Sequence, residues 1–536
     1  MSAISASPVE PAIVPFGSLE WFKRQLASTP NRARRTAIMV GATVLCVIIS
    51  MTLQVPELSV TAYMPFFVSQ ETKLKTIVVG VGGFIGLTIG IGSTLLLYKF
   101  TYGYPELRIP GMAIALFLGM WLSRVFVIGP LGFLIGFIVA VSQSVGEAVP
   151  SSEQLVRDLL WLWVAIAYGV GLTVVLNLLF LPDTTGPPAH RPKPKSLFVP
   201  DAFTNPAHVH FALKVTFAAM FCYIVYEGID WSGIHTAFIT CTFIALESTG
   251  ATLHKGVLRM GGCIIGGALA LFTIVFLMPH MVTIASLVVV VAGASAIAGW
   301  VAAGSEMISY AGLQIAFAFF YSLFQGYAPD TDLDNVRDRV VGILFGLIVT
   351  GIVFRYIWPE RTIDRFRDAL RAALRQLARL LEIPRPDVSI GKTEAKADAL
   401  ISETSTSFEQ ARRYADLTVF EFEESPDGDR IALEQAKSML SRAKRLFVTA
   451  TSLFSDHALD EWQQLPPAAR IAESELRNAA AKRIEDATTN NPAKRIDDAK
   501  LSSALTRWNE TVLRPSSGSP RAALVSEIAA EVQSVN

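Results

Sequence analysis

The stretch from Glu227 to Cys241, EGIDWSGIHTAFITC, sets two carboxylates, a tryptophan, a histidine and two threonines in an otherwise oily part of the chain. Glu247 follows twelve residues after His235, with Lys255 and Arg259 close behind it. An imidazole titrates near neutrality and can carry a proton. A carboxylate in an apolar run is costly to leave charged, so it pairs with a cation, meets water or takes up a proton. Glu247, His235 and Asp230 are therefore the candidates for moving a proton. Lys255 and Arg259, with Thr236, Thr240 and Tyr63, are the candidates for holding a substrate. Plainer roles compete: Glu227 and Asp230 as loop acids in water, His235 as a structural histidine, and Glu247 as an interfacial acid paired with Lys255 or Arg259.

Other chemistry is not called for. The chain has no GxxxxGK[ST], HExxH or GxSxG pattern, and its glycine-rich GVGGFIGLTIGIG lies inside an apolar run without the lysine of a phosphate cradle. The four cysteines, Cys46, Cys222, Cys241 and Cys263, sit in apolar segments and form no CxxC pair. No enzyme activity, catalytic residue, metal site or cofactor is expected. A formal net charge of zero gives no reason to expect nucleic acid as a partner.

What must position these residues is a membrane domain. Hydrophobic residues make up 51% of the chain, charged ones only 17%, and the mean hydropathy is +0.43, too apolar for a soluble protein of this length. About 20 apolar residues cross roughly 30 Å of hydrocarbon. On that ruler spans fall at 36–55, 57–70, 76–98, 109–124, 128–147, 159–181, 211–227, 233–249, 256–277, 282–303, 307–326 and 340–358. The second is short and carries Pro65, and the eighth is short and rich in threonine. Short or interrupted segments at corresponding places in two halves point to a transport site.

Thirteen lysines and arginines fall on one side of this layout and five on the other. The excess places both termini in the cytoplasm. The first 35 residues lack the features of a signal peptide, so the first span is expected to direct insertion.

The halves also echo each other at a spacing of 180: Arg34 with Lys214, Lys75 with Lys255, Gly82 and Gly86 with Gly262 and Gly266, and Val156-Arg157-Asp158 with Val336-Arg337-Asp338. That predicts two parallel six-helix repeats, with Gly82, Gly86, Gly262 and Gly266 letting helix backbones approach. The fold class expected is all-α: about 12 transmembrane helices and a C-terminal cytoplasmic helical bundle. The domains are a cytoplasmic segment (1–35), repeat 1 (36–182), a proline-rich cytoplasmic linker (183–207), repeat 2 (208–359) and the helical domain (360–536). In the last, Phe366, Leu370, Leu374, Leu377 and Leu381 mark one face of an amphipathic helix that stops at Pro384.

Four stretches resemble the fusaric acid resistance family of the aromatic acid exporter superfamily, in particular its MdtO-type multidrug-resistance branch. They are PDAFTNP (Pro200 to Pro206), YEGIDWSGIHT (Tyr226 to Thr236), HKGVLRMGGCIIGG (His254 to Gly267), and VRDRVVGILFG followed by IWPE (Val336 to Glu360). The resemblance implies a bacterial inner-membrane efflux permease for small aromatic or amphipathic organic acids or drugs. It further implies work with a periplasmic adaptor protein and an outer-membrane channel. Members often carry a large cytoplasmic domain between the halves, where this chain has only Asp183 to Asp201. Proton drive is the expected mode. A passive organic-anion channel and a membrane scaffold or sensor acting through the cytoplasmic bundle are the alternatives, and a homo-oligomer is compatible with each.

Overall fold

A computed structural model describes residues 18–144, 149, 151–182, 196–383, 390–421, 427–454, 461–462, 464–488, 498–512 and 520–534. Among these residues the elements are nearly all helical, apart from two paired two-residue strands, Phe324–Gln325 and Ala328–Pro329. They fall into two compact units, one running up to Pro359 and the other from Glu360 onward.

The first unit contains α1 (Leu19–Leu26), α2 (Arg32–Leu53), α3 (Leu58–Val68), α4 (Lys73–Thr101), α5 (Pro105–Val125), α6 (Gly129–Ser144) and α7 (Ser152–Phe180). It continues with α8 (Pro206–Gly228), α9 (Thr236–Ile244), α10 (Thr249–Phe272), α11 (Ile284–Ala302), α12 (Ser309–Leu323) and α13 (Asp334–Tyr356). A helix stands at each of the twelve expected positions, but only eight are long and apolar enough to cross a membrane. The other four, α3, α6, α9 and α12, have 11, 16, 9 and 15 residues. At about 1.5 Å per residue, α3 and α9 fall well short of a bilayer.

These two short helices are also the enclosed ones: nine residues of α3 and seven of α9 are buried. By contrast Leu74, Val78, Val81, Ile85, Ile89 and Leu96 of α4 form an exposed apolar surface. That surface suits lipid and would be a liability in water. The chain is a multi-pass α-helical membrane protein.

The helix pairings of the two halves match. The pairs α2–α3, α2–α7, α3–α7, α4–α6, α4–α7 and α5–α6 correspond to α8–α9, α8–α13, α9–α13, α10–α12, α10–α13 and α11–α12. The halves meet through α2–α11, α5–α8 and α3–α12.

Local detail, however, revises the spacing. Thr72 caps α4 by accepting from Lys75 N at 3.2 Å, and Ser248 caps α10 by accepting from Ala251 N at 3.3 Å. Gln70 N donates to Thr76 Oγ1 at 3.0 Å, and Leu246 N to Thr252 Oγ1 at 3.1 Å. Both pairs differ by 176 (248 − 72, 252 − 76), so Lys75 and Lys255 are not counterparts.

The glycines agree with that register. A Cβ on Gly86 would meet Leu134 at 2.8 Å, and one on Gly90 would meet Ile138 at 2.9 Å. On Gly262 it would meet Gln314 Cβ at 2.6 Å, and on Gly266 the Ala318 side chain at 2.9 Å. Gly86 and Gly90 thus do for α4 against α6 what Gly262 and Gly266 do for α10 against α12. Gly82, expected to pack, has nothing within 4 Å.

Further along, Gly132 abuts Leu122 and Gly312 abuts Ala302, where the spacing is 180 (302 − 122). The second half gains about one turn between these points. It is there that α10 runs on into a π-helical segment, Thr273–Leu277, and a 3-10 turn, Met278–His280. Lys214, paired with Arg34 by the spacing of 180, is buried, with Nζ donating to the Trp358 carbonyl at 3.0 Å and lying 4.8 Å from the Phe354 ring.

The second unit comprises α14 (Thr362–Leu381), α15 (Ile390–Leu417), α16 (Asp427–Ser452), α17 (Pro467–Thr488), α18 (Asp498–Val512) and α19 (Pro520–Ser534). Phe366, Leu370, Leu374, Leu377 and Leu381 all lie in its core, with Trp508. The linker over 183–195 and the stop at Pro384 lie outside the described residues.

Candidate functional site

The candidate site is built where α9, α10, α12 and α13 converge. Two stripes of small residues allow it. On α13, Gly346 lets the α9 backbone come close: a Cβ there would sit 2.7 Å from the Ala237 carbonyl and 2.8 Å from Thr240. On α10, Gly262 and Gly266 admit α12 in the same way. Arg259 lies one turn before Gly262, so its side chain enters the seam between α9 and α12.

There Arg259 is 1% exposed. Its Nε donates to Thr240 Oγ1 at 3.0 Å, and its Nη1 to Gln314 Oε1 at 3.0 Å and Tyr310 OH at 3.3 Å. Its Nη2 is buried with no hydrogen-bond partner. Lys255, one turn earlier, holds Nζ 4.9 Å from the Tyr310 ring. Three neutral acceptors share one guanidinium, and no carboxylate among the described residues pairs with it.

Arg339 of α13 forms the second cationic centre and is 3% exposed. Its guanidinium carbon lies 4.2 Å from the Phe317 ring and 4.1 Å from the Tyr321 ring. Nη1 donates to the Phe317 carbonyl at 3.5 Å, and Nε is buried without a partner. The hydroxyl of Thr236 donates to the Arg339 carbonyl at 3.5 Å. Tyr63, from α3 in the other half, packs edge-on against Phe317 at 4.8 Å. His235 lies 6.5 Å from Tyr321, its Nδ1 3.1 Å from the Ser232 carbonyl. Tyr63, His235, Tyr310, Phe317 and Tyr321 are half-buried, leaving ring surface open beside the two cations.

A guanidinium is charged at any accessible pH. Burying one without a counter-charge costs several kcal/mol, of the order of the desolvation penalty per ion. Hydrogen bonds to neutral oxygens and aromatic faces offset part of that, the latter by about 0.5–2 kcal/mol each. What remains is a positive site whose unmet donors favour an anion, walled by rings that favour a flat apolar body.

Of the residues singled out from the sequence, the structure brings together Arg259, Lys255, Thr236, Thr240, Tyr63 and His235. It does not bring in Asp230, which is exposed in the turn after α8, or Glu247, which is exposed between α9 and α10. Glu247 is therefore not a carboxylate held deep in the apolar interior, because α9 ends at Ile244.

Sequence reasoning missed Arg339, Tyr310, Gln314, Phe317 and Tyr321. For Arg339 a signal existed: with Gly342, Gly346 and Thr350 it shares one face of α13 at spacings of three and four. Its neighbour Arg337, 200° away around the helix at 100° per residue, is exposed and pairs with Asp334 at 2.9 Å and Asp338 at 2.8 Å.

A polytopic helical membrane protein with a buried cationic, aromatic-walled centre defines the class. Residues 218–353, which contain the last half of α8, all of α9 to α12 and most of α13, match the family described as fusaric acid resistance protein-like. Over this region the chain is similar to that family, and to proteins of its MdtO type. It is 37% identical over 204 residues to multidrug resistance protein MdtO of Escherichia coli O157:H7, covering 38% of this chain and 30% of the relative. The Shigella flexneri protein of that name is 37% identical over 200 residues, covering 37% and 29%. That of Escherichia coli strain K12 is 36% identical over 204 residues, covering 38% and 30%. The match thus spans under a third of the length of each relative.

Proposed function

We propose that the protein is an inner-membrane efflux permease that exports small aromatic or amphipathic organic anions or drugs. The observation that carries this reading is Arg259, a buried guanidinium with an unmet Nη2. It lies next to open aromatic surface in a chain similar to proteins named for multidrug resistance. An anionic group takes the free donors of Arg259 and Arg339, while its ring stacks on Tyr63, Phe317 or Tyr321. Lys255, toward the start of α10, attracts the anion first.

In this reading the membrane unit is two parallel six-helix repeats, supported by the matched pairings of α2–α7 and α8–α13. Both termini are cytoplasmic, and the unit from Glu360 onward is a cytoplasmic bundle. Export is driven by the proton gradient. His235, beside Tyr321, is the coupling group placed best for it, with Glu247 and Asp230 at the two mouths. The periplasmic adaptor and outer-membrane channel implied by the resemblance complete the route out of the cell.

The test is accumulation of a panel of aromatic acids in cells with and without the gene, each with and without a proton ionophore. The expected result is higher accumulation on deletion, and an ionophore that raises accumulation only in cells carrying the gene. Equal accumulation across the panel overturns export. Gene-dependent flux that follows the anion gradient and ignores the ionophore replaces the permease with a passive anion channel.

A further inference from the structure

We propose that α1 is an in-plane anchor seated on an anionic phospholipid leaflet, clamped to the joint between α2 and α11. Three of its apolar residues, Leu19, Phe22 and Leu26, recur at spacings of three and four, which puts them on one helix face. They are 72%, 46% and 42% exposed, and no residue of α1 is buried. Trp21 meets Phe22 edge-on at 5.0 Å. Lys23, Arg24 and, at the start of α2, Arg34 are exposed beside them. Against these stands Glu20, which pairs with Arg24 at 3.1 Å. An eight-residue helix has little stability of its own in water. Its apolar face with basic flanks suits the boundary between headgroups and acyl chains of a negatively charged leaflet.

What holds α1 in place is a buried arginine. Arg32 is 1% exposed, and its Nη1 donates to the carbonyls of Gln25 at 2.9 Å and Ala27 at 2.6 Å. Its Nε and Nη2 donate to the Trp300 carbonyl at 2.9 and 2.6 Å, and its guanidinium lies 4.8 Å from the Trp300 ring. Trp300 returns the contact, its Nε1 donating to the Leu26 carbonyl at 3.0 Å. Ser305 also bonds the Gln25 side chain.

The end of α1 is thereby tied to the end of α11 and the start of α2, two helices long and apolar enough to span. Both show exposed apolar residues along their length, such as Leu45 and Leu53 on α2 and Val289 and Ile297 on α11. The apolar face of α1 continues that lipid-facing surface, and tryptophan at this level is the residue that favours the interface. Because α2 and α11 come from different halves, lipid engagement at α1 bears on how the halves meet.

The test uses the full chain in nanodiscs of phosphatidylcholine alone or mixed with phosphatidylglycerol. A nitroxide is placed on Phe22→Cys, the four native cysteines being buried, and on Asn31→Cys as an exposed reference. Collision with oxygen and with a water-soluble nickel chelate is then measured. In the mixed discs the label at 22 should favour oxygen and exclude the chelate severalfold relative to the label at 31. Adding Lys23→Glu and Arg24→Glu should remove that exclusion in the mixed discs and leave the melting temperature unchanged.

A label at 22 open to the chelate in both disc types overturns the proposal. So does one shielded from oxygen and chelate alike, since protein, from the residues before Ser18 or a second copy, would then cover the face. Exclusion that is equal with and without phosphatidylglycerol also overturns the anionic requirement.

Discussion

The two halves of the membrane unit share a packing plan and divide the chemistry unequally. In the register set by their caps and glycines, the place of Arg259 on α10 is taken on α4 by Gly83, and that of Thr240 on α9 by Met64 on α3. In the register of α6 and α12, Gln314 and Tyr310 correspond to Leu134 and Pro130. Every polar group that holds the guanidinium has an apolar counterpart. Of the two similar frames only the second builds this cationic site, and the first half enters it as a wall, through Tyr63 against Phe317. In the reading proposed above this is the anion-binding centre, and it lies beside the contact between the halves made by Tyr63 and Phe317.

The largest expected effect breaks the comparison at its centre. Arg259→Met makes the second half resemble the first and should lower anion export at least tenfold, a factor equivalent to about 1.4 kcal/mol, since a charged hydrogen bond contributes about 1.5–3 kcal/mol. Melting temperature should hold or rise, because an unpaired buried charge is removed. Arg259→Lys should rescue only part of the loss, lacking the forked donors. On the other side, Leu134→Met should leave export within about twofold, as volume-conserving apolar swaps usually cost under about 1.5 kcal/mol. Export assays and thermal unfolding of the purified variants separate these outcomes.

Glycine substitutions sharpen the register next. Gly262→Ala drives a methyl into Gln314 Cβ at 2.6 Å and the Ala311 carbonyl at 2.7 Å, at a cost of about 1–3 kcal/mol. Gly82→Ala meets nothing within 4 Å and should be neutral or stabilise by up to about 1 kcal/mol, since alanine loses less entropy in a helix. If the spacing of 180 were the structural one, the two would behave alike in melting experiments. A smaller effect tests the contact across the seam. Tyr63→Leu removes an edge-to-face pair with Phe317 that contributes about 0.5–1.5 kcal/mol. Export of aromatic anions should fall by roughly two- to tenfold on that account, while that of non-aromatic anions stays unchanged.

What could be read from the sequence follows from which forces are local. The apolar runs mark the long helices because burial in lipid is decided residue by residue, and Pro65 and the threonines of 233–249 mark the two short enclosed ones. The anion-binding candidates Arg259, Thr240 and Tyr63 were legible as polar groups in oily surroundings. Arg339 was not, because Arg337 and Asp338 beside it suggest an ion pair at the membrane edge, and only the face it shares with Gly342 and Gly346 separates it from them. The depth assigned to Glu247 failed for another reason: composition continues to look apolar past Ile244, whereas Ser248 starts the next helix by capping it. The spacing of 180 holds around α5–α6 and α11–α12 and breaks across the π-helical turn. An inserted turn leaves the composition of a span unchanged, so no hydropathy pattern reveals it.

The smallest effect lies where each half begins. The first half starts at Arg32, whose donors go to carbonyls and carry no titratable partner. The second starts with a turn in which Asn205 Nδ2 donates to Asp201 Oδ2 at 2.9 Å and His208 Nε2 lies 3.4 Å from the same oxygen. The hydrogen bond from Asn205, and after it the contact with His208, favours the charged carboxylate and holds Asp201 below the ordinary range. A group whose folded value is depressed contributes stability that is fully present above its unfolded value, about 3.9. That contribution is lost as pH falls through the lower folded value. Between neutrality and about pH 4 the turn should therefore be insensitive to acid, and below that the purified protein should lose a small increment of melting temperature that Asp201→Ala no longer loses. Asp201 is exposed, so screening keeps the increment small. An equal acid response in both proteins would show that the two halves start alike after all.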